Sequence, residues 1–159
     1  MTQKTRREFC THACQLAAAG ALAGSLGAVL EGCGGGGGGN GTLPSDIPLL
    51  GTVSGTATGG GVNVTIPGSP LASVGGAALV QSSSGSFLVA RTGQDTFSAL
   101  TATCTHQACT IIGFTGNTFV CPCHGSRFST SGAVQNGPAT RSLRSFATRF
   151  DGTTLTISA

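Results

Sequence analysis

Beyond residue 50 the chain alternates short apolar runs with glycine- and serine-rich turns, and no stretch after residue 33 keeps a helical period. The runs, rich in Val, Ile, Thr and Phe, fall at Thr52–Thr58, Val62–Ile66, Ala77–Gln81, Phe87–Arg91, Thr96–Leu100, Thr118–Val120, Ser145–Phe150 and Thr153–Ile157. Pro67-Gly68, Ser84-Gly85, Thr92-Gly93-Gln94-Asp95 and Asp151-Gly152 punctuate them, and the last joins two alternating runs in the manner of a tight hairpin. The pattern predicts an all-β fold of roughly seven to ten strands, in small antiparallel sheets wrapped as a sandwich or open barrel. Each strand can turn only a few apolar residues inward, so covalent ties and any bound cofactor should contribute heavily to local order.

Two boxes interrupt this pattern: Cys104-Thr105-His106-Gln107-Ala108-Cys109 and Cys121-Pro122-Cys123-His124-Gly125-Ser126. Every His and Cys after Cys33 lies inside them. They place Cys-x-His on one loop and Cys-x-x-His on another, so two thiolates and two imidazoles can converge on one site, with a second cysteine pair interleaved. A zinc ion accepts such a donor set, but structural zinc sites usually pair C-x₂₋₄-C with H-x₃₋₅-H, and zinc would leave Cys109 and Cys123 without a purpose.

The order C-T-H-x-x-C followed by C-P-C-H-G-S resembles the Rieske iron–sulfur proteins, strongly from Leu100 to Ala139 and elsewhere only through strand pattern and length. The resemblance implies a base domain carrying a cluster-binding subdomain. It implies a [2Fe-2S] cofactor with Cys104 and Cys121 on one iron and His106 and His124 on the other. It also implies a Cys109–Cys123 disulfide, a Ser126 hydroxyl donating to a bridging sulfide, and a flap at Gly137-Pro138-Ala139. Replacing two thiolates by neutral imidazoles removes two negative charges from the oxidised site, so adding an electron meets less repulsion and the potential rises. Such centres span roughly −150 to +300 mV, against about −400 mV for the four-thiolate kind. The ring N–H of an imidazole on ferric iron is acidified, which couples reduction to proton uptake.

The extra cysteine pair points to the disulfide-containing, high-potential branch, which includes subunits of cytochrome bc-type quinol oxidoreductases and of arsenite oxidases. A bridge across a loop of this size contributes about 3 kcal/mol in the loop-entropy account and implies an oxidising compartment. Three positions depart from the quinol-oxidoreductase pattern. Gln107 stands where an apolar Leu is frequent, Ala108 replaces a Gly, and Phe128 replaces a Tyr that hydrogen-bonds a ligand sulfur. Hydrogen bonds to cluster sulfurs raise the potential, so Phe128 predicts a value below the top of the range.

Upstream, Thr5-Arg6-Arg7-Glu8-Phe9 and the weakly apolar stretch from Ala13 to Leu30 have the form of a twin-arginine export signal over residues 1–33. That route would carry the protein to the periplasm or the outer face of the cytoplasmic membrane, with its cofactor inserted beforehand. Leu30-Glu31-Gly32-Cys33 resembles a lipoprotein box apart from Glu31, making Cys33 a candidate for lipidation. An uncleaved anchor and a cleaved soluble form are the alternatives. Residues 34–45, opening with six glycines, read as a flexible linker to a domain spanning residues 46–159. Cys10, His12 and Cys14 fall in the signal and have no expected role in the mature protein.

Composition narrows the function classes. From Asp46 onward five arginines face three aspartates, too small an imbalance to argue for nucleic acid, and without Trp or Tyr there is no stacking platform for bases. Both glutamates lie before residue 33, so general acid–base chemistry has almost no candidates. The sequence therefore predicts one-electron transfer in an exported, membrane-tethered protein. Its partners would be redox proteins, a cytochrome b/c type or a molybdenum oxidoreductase, and possible ligands include a quinol. A redox sensor and a subunit of a quinol-oxidising or arsenite-oxidase-like complex are the competing roles.

Overall fold

The computed structural model describes residues 46–159, and these contain no helix. The expectations for the export signal, Cys33 and the linker fall outside the described residues. Twelve strands form an eight-stranded and a four-stranded sheet. The first is built from β1 (Gly51–Ser54), β2 (Thr56–Thr58), β3 (Gly61–Thr65), β4 (Ala77–Ser82), β5 (Gly85–Arg91), β6 (Phe97–Thr101), β11 (Ser145–Phe150) and β12 (Thr154–Ser158). Their order is β1-β4-β5-β6-β11-β12-β3-β2. The all-β expectation holds, with three differences: there are twelve strands rather than seven to ten, the main sheet is larger than foreseen, and β1 pairs with β4 in parallel rather than antiparallel.

The run Thr52–Thr58, read as one strand, is two. β1 and β2 lie at opposite edges of the sheet yet are separated only by Gly55, so the sheet curls until its edges meet. Across this corner the Gly55 N–H donates to the Gln81 carbonyl. β11 makes the second corner: Ser145 and Phe146 pair with β6, while Ala147 to Phe150 pair with β12. Strands that switch partners in this way turn one sheet into two packed layers. Between the layers lies a core of Val62 and Val64 from β3, Leu155 and Ile157 from β12, and Val80, Phe87, Val89 and Ala99 from the opposite face.

Gly55 is small because the core leaves no room. A Cβ there would lie 2.5 Å from Val62 Cγ1 and 3.0 Å from Val80 Cγ1. Gly55→Ala should cost about 1–3 kcal/mol, the usual penalty for overpacking. Urea unfolding of the variant checks this, and pairing it with Val62→Ala should return part of the loss if the Val62 contact is the cause.

β4 and β5 read as nearly continuous apolar runs because both their faces are covered. Leu79, Leu88, Ala90 and Leu100 point away from the first core into a second one, shared with Ile111, Phe119, Phe128 and Leu143. This second core seats the four-stranded antiparallel sheet β10-β9-β8-β7, made of β7 (Gly113–Thr115), β8 (Thr118–Val120), β9 (Arg127–Ser129) and β10 (Val134–Asn136). The segment before β1 is stitched to the same sheet, with Phe114 N donating to Pro48 O and Leu50 N to Ile112 O. Cys104 and Cys121 belong to the second core, so the two boxes emerge directly from its packed floor.

Candidate metal centre

Each box is a six-residue loop tied by the same pair of backbone bonds. In the first, Cys104 N donates to Cys109 O and Ala108 N to Cys104 O; in the second, Cys121 N donates to Ser126 O and Gly125 N to Cys121 O. Both loops turn through a left-handed residue at their fifth position, Ala108 at φ 56° and Gly125 at φ 72°. Glycine takes this conformation freely, whereas alanine meets its own carbonyl and loses roughly 1–2 kcal/mol. The Ala108 substitution, minor by sequence, is thus a strained point in the first ligand loop. The second loop leads out of β8 and back into β9, and hangs from Phe119 and Phe128, both fully buried.

The four candidate ligands arrive as two pairs. Cys104 and Cys121 are buried together in the second core and carry free thiols. The His106 and His124 rings stand edge to face, 4.9 Å between centroids and 90° between planes. Burial pushes the Cys121 thiol up from its ordinary value, and the neighbouring Cys104 thiol adds to the rise. Iron binding takes thiolates, so loading the site releases protons. His106 is half-buried and His124 exposed, placing an imidazole edge at the protein surface.

Cys109 and Cys123 are joined as a disulfide that ties the two ligand loops to each other. The sulfurs of Cys109, Cys121 and Cys123 lie within 4.8 Å of one another, a spacing that would suit a metal ion if all three were free. The bridge consumes two of them and leaves Cys121 as the available donor.

Ser126 is the one buried polar side chain among the described residues, 1% exposed. Its Oγ accepts from Ala139 N at 3.0 Å, fastening the Gly137-Pro138-Ala139 segment over the second loop through a cis Gly137–Pro138 peptide. Used as an acceptor there, the hydroxyl keeps its own proton to donate. Two contributors carried no signal that singled them out. The Thr105 hydroxyl donates to Arg141 O at 2.6 Å, so the first ligand loop is anchored to the chain beyond the proline segment. Arg141 and Arg144 border the groove beside His106. Phe128 is enclosed in the second core with Cys104 and Cys121 and offers them no donor.

These residues suit a two-metal cluster on their own chemistry. His106 Nδ1 is buried without a hydrogen-bond partner, an arrangement that is unfavourable unless something ligates it. Sulfur stands with sulfur and imidazole with imidazole, which divides the donors between two metal ions more naturally than it surrounds one.

The profile of the Rieske [2Fe-2S] domain matches residues 66–147, about half of the chain. A cytochrome b6-f complex iron-sulfur subunit from Synechococcus sp. (strain JA-2-3B'a(2-13)) is 46% identical over 54 residues, 33% of this chain and 31% of the relative. The corresponding subunit of Prochlorococcus marinus (strain AS9601) is 51% identical over 45 residues, 28% and 25% respectively. The chain thus spans less than a third of the length of these curated relatives. The cyanobacterial plasma membrane Rieske protein PetC3 from Synechocystis PCC 6803 is 34% identical, covering 52% of this chain and 86% of that one, with a TM-score of 0.47. With the paired donors, the bridged loops and a profile match running through both boxes, the chain belongs to the Rieske [2Fe-2S] domain family, and a [2Fe-2S] cluster is its cofactor.

Proposed function

We propose that this chain carries single electrons, with Cys104 and Cys121 holding one iron and His106 and His124 the other. The observation that carries the reading is the sorting of four ligand-bearing side chains into a buried thiol pair and a surface-facing imidazole pair. When bound, the cluster supplies a one-electron couple of roughly −150 to +300 mV. The protein's share is placement. The second core excludes water from the thiol side, and the loop bonds fix the distance between ligands. The imidazole edge offers a short path to a partner and a place to hold a proton. Ser126 is positioned to donate into the site, and Phe128 withholds a second donor, which favours a potential short of the upper limit.

In the same reading, residues 1–33 form a twin-arginine signal and residues 34–45 a tether. Cys33 is a lipid attachment point, and residues 46–159 work outside the cytoplasm at the membrane surface. The Arg6-Arg7 pair, the lipoprotein-like box and the disulfide support this placement. Membership of a quinol-oxidising complex is the second reading, favoured by identity to cytochrome b6-f subunits within the matched stretch. Exposed, polar Gln107 beside His106 speaks for a protein redox partner over a quinol.

An EPR-monitored redox titration of the loaded protein at several pH values tests the proposal. The expected result is a rhombic mixed-ligand signal whose midpoint falls as pH rises. In Ser126→Ala the midpoint should shift to more negative values, because the donor to the site is lost. The same variant leaves Ala139 N buried without its partner, costing about 1–3 kcal/mol in urea unfolding. Bound zinc without any such signal would overturn the reading.

A further inference from the structure

A groove of 540 Å³ runs beside the first ligand loop, bordered by Thr103, Thr105, His106, Arg141, Ser142 and Arg144 among others. Its lining contains hydroxyls and two guanidinium groups but no carboxylate. The aspartates of the described domain are elsewhere. Asp151 and Arg149 border a separate cleft, where Asp151 spends one oxygen on Thr153 and Thr154; Asp95 sits in the turn between β5 and β6, and Asp46 is exposed ahead of β1. Among the described residues no carboxylate borders this groove, so Arg141 and Arg144 present their charge at the edge of a candidate ligand. Arg144 is also held in place, its guanidinium 4.7 Å from the centre of the Phe146 ring. Contacts of this kind orient the cation while leaving its N–H groups free to meet an anion.

We propose that this groove is the docking surface for an acidic redox protein, whose carboxylates seat on Arg141 and Arg144 and bring its redox centre against the His106 edge. The inference rests on the electron-carrier reading and names the chemistry of its partner. A macromolecule fits better than a small anion. Thr103, Arg141, Ser142 and Arg144 are all exposed, so a small ion there would keep its water, whereas a protein face would exclude it. Arginine in a mixed polar surface is also the side chain most suited to carboxylate pairs at an interface. Charge pairs of this sort act mainly on encounter rate and orientation, which suits a transient electron-transfer complex.

The test uses one haem protein in two charge states: a basic cytochrome c, and the same protein with its lysines succinylated to make it acidic. The cluster-loaded full chain is reduced with dithionite, desalted and mixed with each ferric form. One electron passes to the ferric haem, which becomes ferrous as the protein becomes oxidised, and no atom changes hands. Stopped-flow rates and calorimetric Kd are read for the parent, for Arg141→Ser/Arg144→Gln and for Arg149→Gln, whose charge change lies outside the groove. Side-chain replacement at Arg141 leaves the carbonyl that holds Thr105 in place. The expected result is preference for the succinylated form, loss of that preference toward 0.3 M salt, and a drop of about tenfold in rate and affinity for the double variant, with Arg149→Gln close to parent. Equal loss in Arg149→Gln, preference for the basic form, or binding of inorganic phosphate in place of the succinylated protein would overturn the proposal. A missing EPR signal would fail the electron-carrier reading instead, while the calorimetric affinities would still decide the groove.

Discussion

Replacing Cys121 with serine is expected to abolish iron binding, taking iron content from about two per chain to near zero along with the visible absorption and the EPR signal. Cys121 is the candidate donor beside the disulfide. It is 2% exposed, packed in the second core with Cys104, and within 4.8 Å of both bridge sulfurs. Serine keeps the hydrogen-bonding capacity but not the soft thiolate that iron–sulfur chemistry requires, and its shorter C–O bond withdraws the donor atom into the second core. A buried hydroxyl with a poorer partner should also cost about 1–3 kcal/mol in the cluster-free protein. Urea unfolding of cluster-free samples reads that cost separately, and metal analysis with EPR reads the ligand loss. Retention of a full mixed-ligand signal in Cys121→Ser would remove this residue from the donor set and with it the pairing proposed here.

The second large effect is expected from Cys109→Ala/Cys123→Ala. The bridge closes a loop with a sequence separation of 14, for which the chain-entropy account gives about 3 kcal/mol. In a domain of this size each kcal/mol moves Tm by roughly 4–8 °C, so a fall of more than 10 °C is expected. The damage should be uneven. Val80 and Val89 belong to the first core and owe nothing to the bridge. Ala108 N and Gly125 N close the ligand loops, which then rely on few cross-ties beyond Thr105 to Arg141 and Ser126 to Ala139. Hydrogen exchange should therefore quicken at those loop amides well before the β4 and β5 amides. The cluster, gripped by loops free to separate, should be lost faster on dilution into chelator. Uniform acceleration across the domain, or loops as protected as before, would show that the loops are held by other means.

The long strands were legible because they have enough positions to display their burial. Ser145–Phe150 falls where the pattern put it, and β3, β4, β6 and β12 within one residue at each end. β7, β9 and β10 went unread because strands of three residues cannot show a period of two, and β8, equally short, stood out only as a Thr-Phe-Val run of strand-forming residues; the three exist through pairing with β8 and with each other. Phe128 illustrates the difference. Alone in sequence it is one apolar residue after an arginine, and only its pairing with Phe119 turns it into the floor beneath the ligand loop.

The sequence by itself determined the all-β class and the family, and it narrowed the candidate donors to the Cys and His of two short boxes, since these depend on residue type and short spacing. Tertiary structure alone decided what depends on distant segments meeting. The chain turns at Gly55 because Val62 and Val80 fill the space a side chain would need. Ala108 accepts a left-handed backbone because the loop must close onto Cys104. Ser126 is enclosed because Ala139 folds back over it, and Arg141 and Arg144 face His106 because the proline segment returns the chain to that edge. Contacts between residues far apart in the chain leave little trace in local pattern, because each side of the contact is compatible with many partners until packing selects one.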